Sequence, residues 1–183
     1  MNKAKQDIFL ELLQSVNDKL FMYARALESS YEDAEDLVND TILTCYENFD
    51  NLKDLSGFKG YIFKTARSKF RQKYRRSWLW GGYSESKAEN MVSNDFRPDL
   101  PLEIEILYSA LEKLPEKQKE AVVLFEISGF SLEEIKEIQG GTLSAVKSRV
   151  KRGREMLKDL LTDNSGLADI ALVDNQKILI HQD

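Results

Sequence analysis

The chain carries one cysteine, Cys45, and one histidine, His181. A lone thiol cannot close an intramolecular disulfide, and one residue of each kind cannot assemble a zinc site, so a metal-free protein of the reducing cytoplasm is expected. Long apolar runs are missing as well. Nothing approaches the roughly twenty apolar residues that a spanning helix requires, which argues against membrane insertion. The stretch Met1 to Leu20 interrupts its apolar pattern with Asp7, Glu11 and Asp18, unlike a signal peptide. No nucleophile, base and orienting group are gathered anywhere, so no catalytic residue is assigned, no cofactor is expected and an enzyme is disfavoured.

Charge, by contrast, is plentiful. With 31% charged and 42% hydrophobic residues in 183 positions, the chain can bury one modest core or two small ones. Its net charge of −5 speaks against a nucleic-acid partner only on average. Lys59, Lys64, Arg67, Lys69, Arg71, Lys73, Arg75 and Arg76 form a basic run without an acid, whereas Glu28 to Asp54 holds nine acids against Lys53 alone. A field so divided suggests one surface for phosphate and another for a basic partner.

Helical spacing dominates, and the expected fold class is all-α: two small helical domains joined by a flexible linker. Phe9, Leu12, Leu13, Val16 and Leu20, continued by Tyr23, Ala24 and Leu27, predict a first helix. A second runs from about Asp33 to Phe49, with Cys45 on its inner face as a packed thiol. After a loop from Asn51 to Gly57, a third runs from Phe58 to Arg76 with Phe63, Ala66, Phe70 and Tyr74 inside. Residues 77–102 lose the helical period and accumulate Gly81, Gly82, Ser84, Ser86, Ser93, Pro98 and Pro101, which marks a linker. Trp78, Leu79, Trp80 and Tyr83 at its start are apolar enough to dock on a neighbour.

Residues 103–161 are strongly punctuated. Ile104, Leu107, Tyr108, Leu111 and Leu114 predict one amphipathic helix, Pro115 starts the next, and Gly129 ends it. Ser131 and Glu134 form an S-x-x-E capping box, with Phe130 and Ile135 placed as a hydrophobic staple. That helix stops at Gly140 and Gly141, and the last runs from Leu143 to Leu161. Short helix, glycine turn, longer basic helix is the helix-turn-helix pattern. The tail, residues 162–183, offers either a marginal hairpin around Asp174-Asn175-Gln176 or a segment that orders on binding a regulator.

On the last helix, Val146, Val150, Gly153, Leu157 and Leu160 share one face, and Ser144, Lys147, Ser148, Lys151 and Lys158 the other, with Arg152 beside them. Hydroxyls and long cations near the start of such a helix suit base edges and phosphates. An ordinary solvated basic face is the plainer reading, but the capped helix and glycine turn in front of it favour DNA. On the third helix, Tyr61, Thr65, Ser68 and Gln72 line up outward beside Lys64, Lys69, Arg71, Arg75 and Arg76, a set suited to unstacked bases and phosphate. For Tyr61, base stacking and half-buried packing both stand open. The second helix presents Glu35, Asp36, Asn39, Asp40, Leu43 and Glu47. Acids favour a helix N-terminus, but Asp40 and Glu47 lie beyond its first turn, which points to a basic protein partner.

Tyr31-Glu-Asp-Ala-Glu-Asp-Leu-Val-Asn-Asp-Thr41 resembles the D-A-E-D-L-V-Q-D-T segment of sigma region two, and Phe58 to Arg76 resembles the helix that follows it. Leu111 to Leu161 resembles region four, with L-x-x-L-P near Leu111, G-x-S-x-x-E-I at Gly129 to Ile135 and V-K-S-R at Val146 to Arg149. Two matches in order, without a region three, resemble the extracytoplasmic-function (ECF) group of sigma-seventy-type RNA polymerase sigma factors. The resemblance implies a region-two bundle in residues 1–76 and a region-four helix-turn-helix in 103–161. It implies bacterial core RNA polymerase as partner, docked on Glu35, Asp36, Asn39, Asp40 and Leu43, and promoter DNA contacted at the minus-ten element by the loop and third helix and at the minus-thirty-five element by the last helix. An anti-sigma factor is a further candidate partner.

The sequence also departs from the family pattern. Tyr61 stands where a tryptophan is usual and Ser68 where an asparagine is usual. The turn L-G-I-P-x-G-T becomes Gln139-Gly-Gly-Thr-Leu-Ser-Ala145, and the loss of an apolar residue at Gly141 predicts a looser turn. Two alternatives are a sigma-like protein-binding regulator with weak promoter recognition and a helix-turn-helix repressor, which would dimerise on a palindrome without polymerase.

Overall fold

The computed structural model describes residues 3–79 and 101–163. Among the described residues there are eight α-helices and no strand. The apolar spacing from Phe9 to Leu27 predicts one helix, but the chain divides it into α1 (Lys3–Gln14) and α2 (Asn17–Leu27). The break is made locally: the Ser15 hydroxyl donates to the Leu12 carbonyl at 2.7 Å, and the Val16 N–H donates to Leu13 at 3.0 Å. Such i→i−3 bonds tighten and end a helix. The bend lets Phe9 reach Tyr46, Phe49 and Phe58, edge to face at 5.1, 5.2 and 5.5 Å.

Helix α3 (Tyr31–Glu47) starts where Ser30 accepts the Asp33 N–H at 3.0 Å, an N-cap that satisfies an otherwise orphan donor. Ala34, Leu37, Val38, Thr41 and Cys45 are buried along it as the spacing predicts. Thr41 avoids an unmet polar group by donating to its own helix at Leu37, 2.6 Å away. The loop to α4 (Phe58–Leu79) contains two 3₁₀ turns, Phe49–Asn51 and Leu55–Gly57. Asp54 accepts both the N–H and the hydroxyl of Ser56, and these bonds hold its carboxyl below the usual range.

Helix α4 corrects two expectations. Tyr74, placed inside by the spacing, is 41% exposed, and Phe58 and Ile62 complete the buried stripe with Phe63, Ala66 and Phe70. The helix also continues past Arg76, so the backbone at Trp78 and Leu79 is helical. Trp80 and Tyr83, like the tail segment for which a hairpin is one expectation, lie outside the described residues.

The second half comprises α5 (Leu102–Glu112), α6 (Glu116–Val122), α7 (Leu132–Gln139) and α8 (Leu143–Asp163). Pro115 caps α6 rather than opening it. A π-helical turn, Val123–Ile127, prolongs α6, with the Ser128 N–H bonded back five residues to Val123 at 3.0 Å. Gly129 then reverses the chain at φ +66°, a conformation that costs a Cβ-bearing residue energy. The capping box is present in both directions: the Glu134 N–H donates to the Ser131 hydroxyl, and the Ser131 N–H to the Glu134 carboxylate.

Gly153 lets α8 lie directly on α6. A Cβ there would stand 2.5 Å from Val122 Cγ2 and 3.0 Å from the Gln118 carbonyl. Gly153→Ala should therefore destabilise the protein by about 1–3 kcal/mol through overpacking, despite the better helix propensity of alanine. Denaturant unfolding measures it, and a variant as stable as the parent would contradict this close approach.

Candidate nucleic-acid and docking interfaces

The outward face of α3 carries Glu35, Asp36, Asn39, Asp40 and Leu43, all exposed. Leu43 is 56% exposed, an isolated apolar side chain inside an acidic field. These residues share one face because they recur at three- and four-residue spacings on a helix whose other face is core.

The basic helix α4 is more selective than its sequence suggests. Three of its cations are consumed within the protein. Lys73 bonds to Glu28 at 3.1 Å and Asp33 at 2.6 Å, tying α4 to α3. Arg67 Nε donates to Glu120 at 2.6 Å. Lys59 donates to the Gly129 carbonyl at 3.1 Å and sits 4.0 Å above the Phe130 ring. None of the three belongs to the outward set. Of that set, Lys64, Ser68, Arg71, Gln72 and Arg75 are exposed and Lys69 is partly so. The side chain of Arg76 lies outside the described residues.

Tyr61 and Thr65 behave differently. Both are half-buried, and Thr65 donates its hydroxyl to the Tyr61 carbonyl at 2.9 Å. Both side chains lie beside the Cys45 thiol across the α3–α4 contact. Burial is the main cause that pushes the Cys45 thiol and the Tyr61 phenol above their usual values. Tyr61 is therefore a packing residue against α3 with one edge left to solvent.

In the helix-turn-helix, Val146, Val150 and Gly153 are buried, as the helical wheel predicts. Ser144, Lys147, Ser148, Lys151, Arg152 and Lys158 all face solvent. The turn differs from the expectation of looseness. Gly140 and Gly141 take φ values of +76° and +99°, and Arg149 reaches back from α8 to both the Gln139 amide oxygen, at 3.0 Å, and the Gly140 carbonyl, at 3.2 Å. Hydrogen bonds to a guanidinium replace the missing apolar contact.

Sequence reasoning missed the junction between the halves. Glu120 on α6 is 3% exposed. One of its oxygens accepts from Tyr23 at 2.8 Å and from Arg67, and the other from Gln139 at 2.7 Å. A signal existed, since Glu120 stands three and four residues before Val123 and Leu124, on the buried face.

Comparison with known proteins agrees with this architecture. Residues 12–79 match the family described as Sigma-70 region 2, and residues 104–157 match Sigma-70, region 4. The ECF RNA polymerase sigma factor EcfG of Rhodopseudomonas palustris is 32% identical over 139 residues, 76% of this chain and 77% of that one. SigW of Bacillus subtilis, another ECF sigma factor, is 28% identical over 89% of this chain and 94% of its own. Among solved structures, the sigma factor RpoE of Bartonella quintana, in complex with the anti-sigma factor NepR, superposes with a TM-score of 0.69 at 28% identity, covering 86% of this chain and 98% of that one. CnrH, in complex with the cytosolic domain of CnrY, gives a TM-score of 0.63 at 25% identity, covering 87% and 91%. With both regions in order and a relative of this similarity matched over most of its length, the chain belongs to the ECF group of sigma-70-type RNA polymerase sigma factors.

Proposed function

We propose that this sigma factor docks on core RNA polymerase through Glu35, Asp36, Asn39, Asp40 and Leu43 of α3. It meets the minus-ten element through the exposed part of α4, with Lys64, Ser68, Lys69, Arg71, Gln72, Arg75 and Arg76, and Tyr61 and Thr65 shape the inner edge of that surface. Ser144, Lys147, Ser148, Lys151 and Arg152 of α8 read the minus-thirty-five element. Residues 1–76 and 103–161 act as regions two and four, 77–102 as their connection and 162–183 as a tail of its own. The observation that carries this reading is the division of charge. The acidic face of α3, the outward cations of α4 and the start of α8 face solvent, whereas Lys59, Arg67 and Lys73 are spent on internal bonds.

Such a protein supplies recognition and melting, with the polymerase supplying the chemistry, and works in the cytoplasm. No described helix is long and apolar enough to cross a membrane. Holding a base out of the stack costs a few kcal/mol, which stacking and phosphate contacts on α4 must offset. Because RpoE and CnrH are seen with an anti-sigma factor and with the cytosolic domain of CnrY respectively, an anti-sigma factor is the expected inhibitor here. Footprinting of the holoenzyme on a responsive promoter tests the assignment. Two protected blocks centred about 25 base pairs apart, roughly 85 Å at 3.4 Å per base pair, are expected. A single palindromic block without polymerase would favour a repressor instead.

A further inference from the structure

Between α6 and α8 the surface sinks into an open cleft of about 330 Å³ lined by Lys117, Gln118, Ala145, Ser148, Arg149 and Arg152. Three of these are cations and none is a carboxylate. The walls are held in place. Gly153 brings α8 against the Gln118 carbonyl, Gln139 donates its side-chain amide to the Lys117 carbonyl at 3.2 Å, and Arg149 is committed to the turn through Gln139 and Gly140. The side chains of Lys117 and Arg152 are left over. Both are exposed, and neither is held in an ion pair among the described residues. A concave site with fixed walls and two unneutralised cations favours a phosphate group, because each cation gains there a charge-assisted bond that it lacks in the free protein.

The position of the cleft on α8 says which phosphate. At about 3.6 residues per turn, Ser144, Ser148 and Lys151 form the outward face of α8, with Lys147 on one flank and Arg152 on the other. Arg154 shares the Lys147 flank but is bonded to Glu126. A helix about 10–12 Å across fills a major groove about 12 Å wide, so its two flanks meet the two different sugar-phosphate backbones. On the Arg152 flank, α6 adds Lys117 across the cleft. Given the assignment of α8 to the minus-thirty-five element, on which this rests, we infer that the α6–α8 cleft is a phosphate site: Lys117 and Arg152 hold one phosphodiester of that element, on the strand opposite the one met by Lys147. The DNA interface then extends beyond the helix-turn-helix pair to α6. A phosphate gripped from two helices carries no sequence information, but it fixes how α8 sits across the groove. Ser148, on both the cleft and the outward face, is thereby set at one depth toward the base edges.

Lys117→Gln in the full-length chain, assembled with core polymerase on a responsive promoter fragment, tests this. The slope of log affinity against log salt should become shallower by about one unit, equally for fragments that differ in the bases of the minus-thirty-five element. Lys117→Arg should restore the parent slope, which a loss of packing at an exposed position would not predict. Single uncharged methylphosphonate linkages, placed in turn along both strands, should include one at which Lys117→Gln has no further effect. That linkage should lie on the opposite strand from the one that cancels Lys147→Ala. A slope altered by Lys147→Ala but not by Lys117→Gln would overturn the cleft and leave the reading of α8 standing, and cancellation on the same strand would overturn its geometry. A parent that does not bind the fragment, or a slope that neither variant alters, would remove the reading of α8 and the cleft with it. Inorganic pyrophosphate, titrated into the free chain and followed by its phosphorus resonance, separates DNA from a small phosphate ligand. Saturable binding lost in Lys117→Gln, with the DNA slope unchanged, would make the ligand a free phosphate compound and overturn the assignment to DNA.

Discussion

Asp36→Arg combined with Asp40→Arg should abolish binding to core RNA polymerase while leaving helical content and melting temperature unchanged. Both aspartates are exposed on the outward face of α3, and neither is tied to another side chain among the described residues. The fold does not depend on them. The Ser30 cap and the buried stripe from Ala34 to Cys45 hold the helix from its other side. The proposed docking surface would depend on them, since reversing two charges opposite a basic partner replaces attraction with repulsion, and like charges across an interface cost several kcal/mol. The expected loss is a hundredfold or more in affinity, at about 1.4 kcal/mol per factor of ten. Leu43→Ala should produce a smaller loss that salt does not modify, because its contribution is apolar burial. Native gel filtration with purified core measures both. Unchanged affinity in the double variant would move the docking surface off α3.

The second large effect concerns α8. Lys147→Ala, Lys151→Ala and Arg152→Ala together should make the slope of log affinity against log salt shallower by about two to three units, near one for each phosphate no longer neutralised. Fold stability should barely change. These side chains are exposed, and the one ion pair affected among the described residues, Lys151 with Glu155 at 3.9 Å, is a surface pair of little energetic weight. Ser144→Ala and Ser148→Ala should instead leave the slope in place and alter base preference, since short hydroxyls reach base edges rather than supply charge. A slope unaffected by removal of three cations would mean that this face does not lie against the DNA backbone.

How far these surfaces were legible in the sequence depends on the kind of signal each left. Caps and glycines act over three or four residues, so Ser131, Glu134, Gly140 and Gly141 announced the helix-turn-helix without any tertiary knowledge, and the wheel of α8 placed its faces. The divided charge of α3 and α4 was equally plain. The break between α1 and α2 left no trace, because the apolar period runs through Ser15 and Val16 without changing phase. The π-helical turn at Val123–Ile127 is hidden because it begins inside the apolar run Ala121–Phe125, whose spacing does not distinguish one helical register from another. Gln139 reads in sequence only as part of a turn that departs from the family pattern, and only the fold shows it joining Glu120 to Arg149. The junction around Glu120 was hardest. It draws on Tyr23, Arg67 and Gln139, separated from it by 97, 53 and 19 positions, and pairings at such distances follow from packing rather than from spacing.

Tyr61 shows how structure narrows a sequence reading without exhausting it. Its position on the wheel allowed either base stacking or packing. Its place over Cys45, half-buried beside Thr65, assigns most of its ring to the α3–α4 contact. The cations Lys64, Arg71 and Arg75 remain in solvent, so on the proposed reading α4 would contribute to DNA binding chiefly through charge and through the amide and hydroxyl of Gln72 and Ser68. A surface of that composition holds single-stranded DNA through its backbone, and its base selectivity comes from the few polar groups at its centre.

The central claim is that this chain turns core polymerase into a promoter-specific enzyme. The most direct measurement mixes the purified protein with sigma-free core polymerase and genomic DNA fragments and maps the 5′ ends of the transcripts. The account predicts new, discrete start sites that depend on the protein and disappear with Asp36→Arg and Asp40→Arg. Stable binding to core with no added starts would contradict it and leave a protein-binding regulator in its place.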